Sequence, residues 1–144
     1  MGIILPVSLV AAAAAALINL WLATRVGRLR TAHKILIGDG GNQALVGAMR
    51  AHANFVEYTP FVIALLALIE LAAGTTWWLW ATAAVYLAGR IAHALGMAAA
   101  YPNALRMAGT VITLLTLLGL AIAAIAIPYF APAAISATEM VPPG

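Results

Sequence analysis

Apolar residues gather along this chain in four long blocks, at about residues 3–24, 44–73, 76–96 and 104–130, separated by short polar stretches. A hydrocarbon core of ~30 Å is crossed by about 20 helical residues, so each block is long enough to span a bilayer. The pattern predicts an all-α integral membrane protein, a four-transmembrane-helix bundle forming a single domain over residues 1–144. The first block has no basic residue ahead of it, is longer than a signal-peptide core and is followed by arginines. It therefore reads as a retained helix rather than a leader. Alanine-rich stretches such as residues 11–16 suit close helix approach in lipid. The closing SATEMVPPG reads as a frayed tail.

Composition sharpens this picture. Of 144 residues, 65% are hydrophobic and 8% charged, with a mean hydropathy of +1.05, whereas soluble domains carry roughly 25% charge. The absence of cysteine excludes disulfides, thiolate metal sites and a cysteine nucleophile, so any thiol chemistry must use a ligand's sulfur. The net charge of +3 reads as membrane topology and not as a nucleic-acid footprint. Arg25, Arg28, Arg30 and Lys34 lie in the predicted loop 25–42, and Arg50, Arg90 and Arg106 belong to the same side. The cytoplasmic bias of Lys and Arg then puts loops one and three inside and both termini on the non-cytoplasmic side. Trp77, Trp78, Trp80, Tyr129 and Phe130 fall where an outer aromatic belt belongs. The GDGG stretch at 38–41 lacks the Lys-Ser/Thr partner of a phosphate loop and reads as a turn.

The second block is not uniformly apolar. Arg50, Asn54 and Glu57 are spaced i, i+4, i+7 and fall within about 60° of one another on one helical stripe. A charge at the bilayer centre costs ~2.5–3.5 kcal/mol on insertion scales, so the stripe must face protein or water. Glu57 lies about 18 residues before the turn near Gly74, and Arg90 about 15 after it. At 1.5 Å rise their depths differ by only ~5 Å, which predicts a Glu57–Arg90 pair, within the chain or across a subunit boundary. With His93 and Arg106, these residues form a polar cluster in the cytoplasmic half of the bundle, suited to a small zwitterion or polyanion. Taken singly they also fit plainer duties: an interfacial anchor for Arg50, interhelical polar glue for Asn54 and Glu57, a satisfied interior histidine for His93. His52 points away from the stripe, Glu70 is expected at the surface, and the scattered histidines form no metal site.

The stretch RAHANFVEYTP resembles the second-helix signature of the membrane-associated proteins in eicosanoid and glutathione metabolism, the MAPEG family, through Arg50, Ala51, Asn54, Glu57, Tyr58 and Pro60. GRLR after the first helix, GRIAH in the third and Arg106 at the head of the fourth extend the similarity over roughly residues 3–130. The resemblance implies a bacterial-type member related to microsomal glutathione transferases, built as a homotrimer with glutathione bound between adjacent subunits near the cytoplasmic side. By correspondence, Arg50, Asn54, Glu57, Tyr58 and His93 are glutathione-binding positions, joined by Arg28 and by Arg90 of the cluster. Arg106 corresponds to the catalytic arginine that stabilises the thiolate. One position departs: the eicosanoid synthases have a tyrosine where this chain has Met97, with Tyr101 one turn later.

The function implied is a glutathione transferase, or a peroxidase-like enzyme, of the inner membrane. Glutathione is its co-substrate, the second substrate is a lipophilic electrophile entering from the bilayer, and neither metal nor nucleic acid is involved. Two alternatives stand beside it: a non-catalytic structural or regulatory protein with the same fold, and a small proton-coupled transporter. A proton-carrying carboxylate is expected to be freer to titrate than a Glu57 flanked by arginines and an asparagine.

Overall fold

The computed structural model describes residues 4–130, so the proposed helix start at Ile3 and the SATEMVPPG tail lie outside the described residues. Helices α1 (Pro6–His33), α2 (Gln43–Ala73), α3 (Trp77–Gly96) and α4 (Ala104–Phe130) account for nearly all of this span. Their ends follow local chemistry. Pro6 opens α1 at a position where a missing N–H costs nothing. Asn42 caps α2, accepting from the Leu45 amide at 3.0 Å. Asn103 does the same for α4, accepting from the amides of Leu105 at 3.0 Å and Arg106 at 3.2 Å. Lys34 closes α1 in the left-handed conformation.

The first boundary differs from the expectation. The sequence places Arg25, Arg28 and Arg30 in a loop, but they ride on the last turns of α1, which continues to His33. Loss of apolar character marks where a helix leaves the hydrocarbon core; it does not end the helix. Arg25 uses this position to donate to the Ala94 carbonyl near the C-terminus of α3 at 3.1 Å. Its guanidinium also lies 5.1 Å from the Trp21 ring centroid.

Around the bundle the order is α1, α2, α4, α3, with α2 and α3 touching across the middle while α1 and α4 do not meet. Two apolar cores fill the interior. One joins Val7, Ala11, Val62, Leu66, Leu79, Tyr86 and Leu120 at one end; the other joins Ala15, Ile18, Leu22, Ala51, Phe55 and Ala94 towards the other. The outer surface stays apolar, with Leu17, Phe61, Leu68, Leu115 and Ile122 all exposed, as a lipid-facing bundle requires. Helices α1, α2 and α4 are each long and apolar enough to cross a membrane. The 20 residues of α3 would reach about 30 Å at 1.5 Å per residue, but its buried Arg90 and His93 lower its apolar character.

Glu70 is not the surface residue expected. It is 1% exposed, and its carboxylate accepts from Val7 N at 3.0 Å, Ser8 N at 2.8 Å, Ser8 Oγ at 2.6 Å and Thr75 Oγ1 at 2.8 Å. The cap residue of α1 is Leu5, whose side chain makes no cap bond, so the first-turn donors lack a local acceptor. A carboxylate from α2 supplies it, and the positive end of the α1 dipole favours the charge. Glu70→Ala should lower unfolding stability in detergent by about 2–3 kcal/mol. Glu70→Gln should fall between Ala and wild type; a thermal melt in which Glu70→Ala matches wild type would contradict this role.

Candidate functional site

In the half of the bundle away from Glu70, α2, α3 and the start of α4 enclose a recess of about 80 Å3 lined by Arg50, Ala53, Asn54, Glu57, His93, Met97 and Arg106. Helix α2 contributes the predicted stripe, because Arg50, Asn54 and Glu57 stand one turn apart on one face. Arg50, Glu57 and Arg106 are exposed and Asn54 is half-buried, whereas His93 is only 5% exposed. Its Nδ1 has no hydrogen-bond partner among the described residues.

Arg106 is held by its backbone. The Asn103 side chain receives its amide, and its guanidinium lies 5.7 Å from the Tyr101 ring centroid. A Cβ on Gly96 would strike the backbone of Arg106 and the side chain of Asn103, so only glycine permits this approach of α3 to α4. Gly109 plays the same part further along. A Cβ there would lie 2.5 Å from the Gly89 carbonyl oxygen and 2.6 Å from His93 Cβ. A cation in the first turn of α4 is opposed by the helix dipole. That local cost is offset when an anion lies between the helix end and the guanidinium.

Arg90 stands behind the recess rather than in its wall. Within this one chain, the expected partner Glu57 is not the one it bonds. Nη2 donates to Asn54 Oδ1 at 2.8 Å and Nη1 to Thr113 Oγ1 at 2.9 Å. The depth argument was right to within one turn, but depth says nothing of rotation about the helix, and Glu57 turns outward where Asn54 turns in. Arg28 lies apart from the recess, on an exposed face of α1 with Thr24, Gly27 and Thr31. Tyr58 is half-buried and does not line the recess either. Among the described residues no group of three or more His, Asp or Glu side chains is placed to hold a metal ion.

Several residues that matter here carried no functional expectation: Asn103, Thr113, Gly96 and Gly109. Asn103 was findable, since an asparagine immediately before an apolar run is a cap signal. The glycines were not, because their role depends on a neighbouring helix.

Three long apolar helices, with a recess of arginines, asparagine, glutamate and histidine at one end of the bundle, define an integral membrane protein. The chain belongs to the MAPEG family, whose family model matches residues 8–126. It is similar to the inner membrane protein YecN of Escherichia coli strain K12, with 38% identity over 90 residues, covering 62% of this chain and 69% of the relative. The YecN protein of Escherichia coli O6:H1 matches over the same extent, again at 38% identity. The chain is thus an integral, multi-pass protein of the inner membrane.

The glycine contacts yield a test. Gly96→Ala and Gly109→Ala should each cost about 1–3 kcal/mol of stability, because backbone rather than a flexible side chain must move. Gly119→Ala, which meets nothing within 4 Å, should be neutral. Thermal unfolding of the three variants in one detergent decides it; equal melting temperatures would refute the close-approach argument.

Proposed function

We propose that this protein binds glutathione in the recess and transfers it to a lipophilic electrophile that arrives from the bilayer. The observation that carries this reading is the gathering of Arg50, Asn54, Glu57, His93 and Arg106 around one recess, at the positions where the family resemblance puts glutathione contacts. Arginines suit the carboxylates of the tripeptide, Glu57 suits its ammonium, and Arg106 suits the sulfur. A guanidinium beside a thiol favours its anion, and the thiolate is the nucleophile. It attacks the electrophilic carbon, a carbon–sulfur bond forms, and the leaving group departs with its electron pair. Because the chain has no cysteine, the sulfur is the ligand's.

The recess of one chain is too small for this ligand. Its volume of about 80 Å3 compares with roughly 300–1,000 Å3 for pockets that enclose small molecules. The reading therefore includes a homotrimer in which a neighbouring subunit completes the cleft, with Arg28 as the basic residue it contributes. It includes four membrane crossings with both termini on the non-cytoplasmic side.

A second reading, a non-catalytic protein that keeps the ligand without turnover, draws support from Met97. It lines the recess where the related synthases have a tyrosine, and a thioether donates no hydrogen bond to a sulfur anion.

Calorimetry of glutathione binding in detergent, with a conjugation assay on a generic aryl halide, separates the readings. Wild type should bind and turn over. Arg106→Ala should keep binding within about tenfold and lose about a hundredfold in turnover, the scale for removing a charge-stabilising group. Binding without turnover in wild type selects the non-catalytic reading, and absence of binding removes both. For topology the cysteine-free chain is a ready background. Trp77→Cys in intact spheroplasts should react with an impermeant maleimide, and Leu36→Cys only after lysis; the reverse pattern inverts the orientation.

A further inference from the structure

The stretch that joins α1 to α2 is a built loop. Arg30, on the last turn of α1, turns its guanidinium over the residues that follow it. Nη1 donates to the Gly38 carbonyl at 2.9 Å and, more weakly, to those of Leu36 at 3.4 Å and Ile35 at 3.5 Å, while Nη2 donates to Met49 Sδ at 3.5 Å. Asp39 tightens the far side by accepting from the Gly41 amide at 2.9 Å. Gly38 and Gly40 supply the positive φ that the turn needs, and Ile35 packs so closely on Gly40 that a Cβ there would strike it. With Ile35 turned in, its two neighbours turn out: Leu36 and Ile37 are each 92% exposed. Beside them Arg30, Thr31, Lys34, Ile35 and Leu36 line a depression of about 460 Å3, and Asp39 is the only acid between α1 and α2.

The helices set the height of this loop against the bilayer. Helix α3 spans about 30 Å from Trp77 to Gly96, the thickness of the hydrocarbon core, so its Gly96 end marks one edge of that core. Gly47 of α2 is level with this edge, because a Cβ there would lie 2.7 Å from the Met97 carbonyl oxygen. From Gly47 back to the start of α2 at Gln43 is only about 6 Å. On the other side α1 runs about 12 Å from Arg25, which bonds the Ala94 carbonyl, to its end at His33. The loop is therefore suspended at about the height of the headgroup layer, which is about 5–8 Å deep. We propose that it docks on the anionic phospholipid surface of its own membrane: a lipid phosphate sits in the depression between Arg30 and Lys34, and Leu36 and Ile37 rest where headgroups meet acyl chains. Both demands of such a surface are met at once, by apolar area and by cations beside it. The seat is shallow, so aqueous reagents still reach it. The inference is independent of any ligand in the recess; the competing covers for the aliphatic pair are a soluble protein and a neighbouring copy of the chain.

The cysteine-free chain gives a direct test. Ile37→Cys, labelled with a polarity-sensitive bimane, is placed as the full chain in nanodiscs of phosphatidylcholine alone and of phosphatidylcholine mixed with phosphatidylglycerol, each with and without a lipid quencher high on the acyl chain. The inference expects blue-shifted, lipid-quenched emission in the anionic discs. It expects water-like emission in the zwitterionic discs, and in the anionic discs once high salt screens the surface. Lys34→Gln in the same labelled background should lower the ratio of docked to free loop about fivefold, the scale for one cation at an anionic surface. Emission that is the same in both kinds of disc overturns the inference: water-like in both means a free loop, and apolar but unquenched in both means a protein cover. A ratio unchanged by Lys34→Gln overturns it as well. Should Lys34→Gln fail to fold, the salt titration of the labelled parent decides, and emission in anionic discs that ignores salt overturns the inference.

Discussion

A guanidinium buried in the interior of a membrane protein can only be tolerated if everything around it accepts hydrogen bonds, and this constraint organises one half of the bundle. Arg90 on α3 reaches α2 through Asn54 and α4 through Thr113, so three of the four helices meet at one donor set. Glycines make the meeting possible. Without a side chain at Gly109, α4 approaches the Gly89 carbonyl and the flank of His93. That proximity brings Thr113 within reach of Arg90 and Arg106 to the mouth of the recess. The site is thus a consequence of how a buried charge is satisfied. Removing the charge would leave Asn54 free to rotate and Thr113 without its donor.

The other half of the bundle answers the mirror-image constraint. There the buried charge is the Glu70 carboxylate, and everything around it donates: two amides of the first turn of α1 and the hydroxyls of Ser8 and Thr75. Glu70 fastens α1 onto the end of α2, and Arg25 fastens α1 to the last turn of α3. Helix α1 meets α2 and α3 and not α4, so these polar fastenings fix its register where small alanine contacts alone would leave it free to slide. Of the two buried charges among the described residues, Arg90 lies behind the recess. Glu70 has its capacity filled by the chain, whereas among the described residues Arg90 Nε and His93 Nδ1 have no partner.

Much of this was legible in the residues. The apolar blocks fixed the helices because lipid leaves few alternatives, and the boundaries of α2, α3 and α4 fall within a residue or so of the composition changes. The stripe of Arg50, Asn54 and Glu57 was legible because helical periodicity is rigid. What escaped was whatever depends on rotation or on a distant segment. Glu57 and Asn54 differ by less than a turn in depth, so depth alone favoured the charged residue, and only packing shows which of them turns to Arg90. Glu70 looked like a surface acid because its partners lie 62 and 63 residues away in sequence. Yet Leu5 at the cap of α1 announces donors in need of an acceptor, and that signal could have found it.

The charge balance of the recess bears on what it can hold. Arg50 and Arg106 line it and Arg90 lies behind, against a single acid, Glu57. Asn54 adds a donor, and the first turn of α4 adds the positive end of a dipole. On the proposed reading of the recess, such an excess of positive charge is relieved by an anion, so a negatively charged ligand is favoured over a neutral or cationic one. Glu57 then acts as a discriminator. It repels a simple dianion placed beside it, but rewards a molecule carrying an ammonium at that point together with carboxylates elsewhere. A peptide with one ammonium and separated carboxylates meets both demands, and a lone inorganic anion meets only one. On the proposed reading, the selectivity lies in the single acid among the arginines.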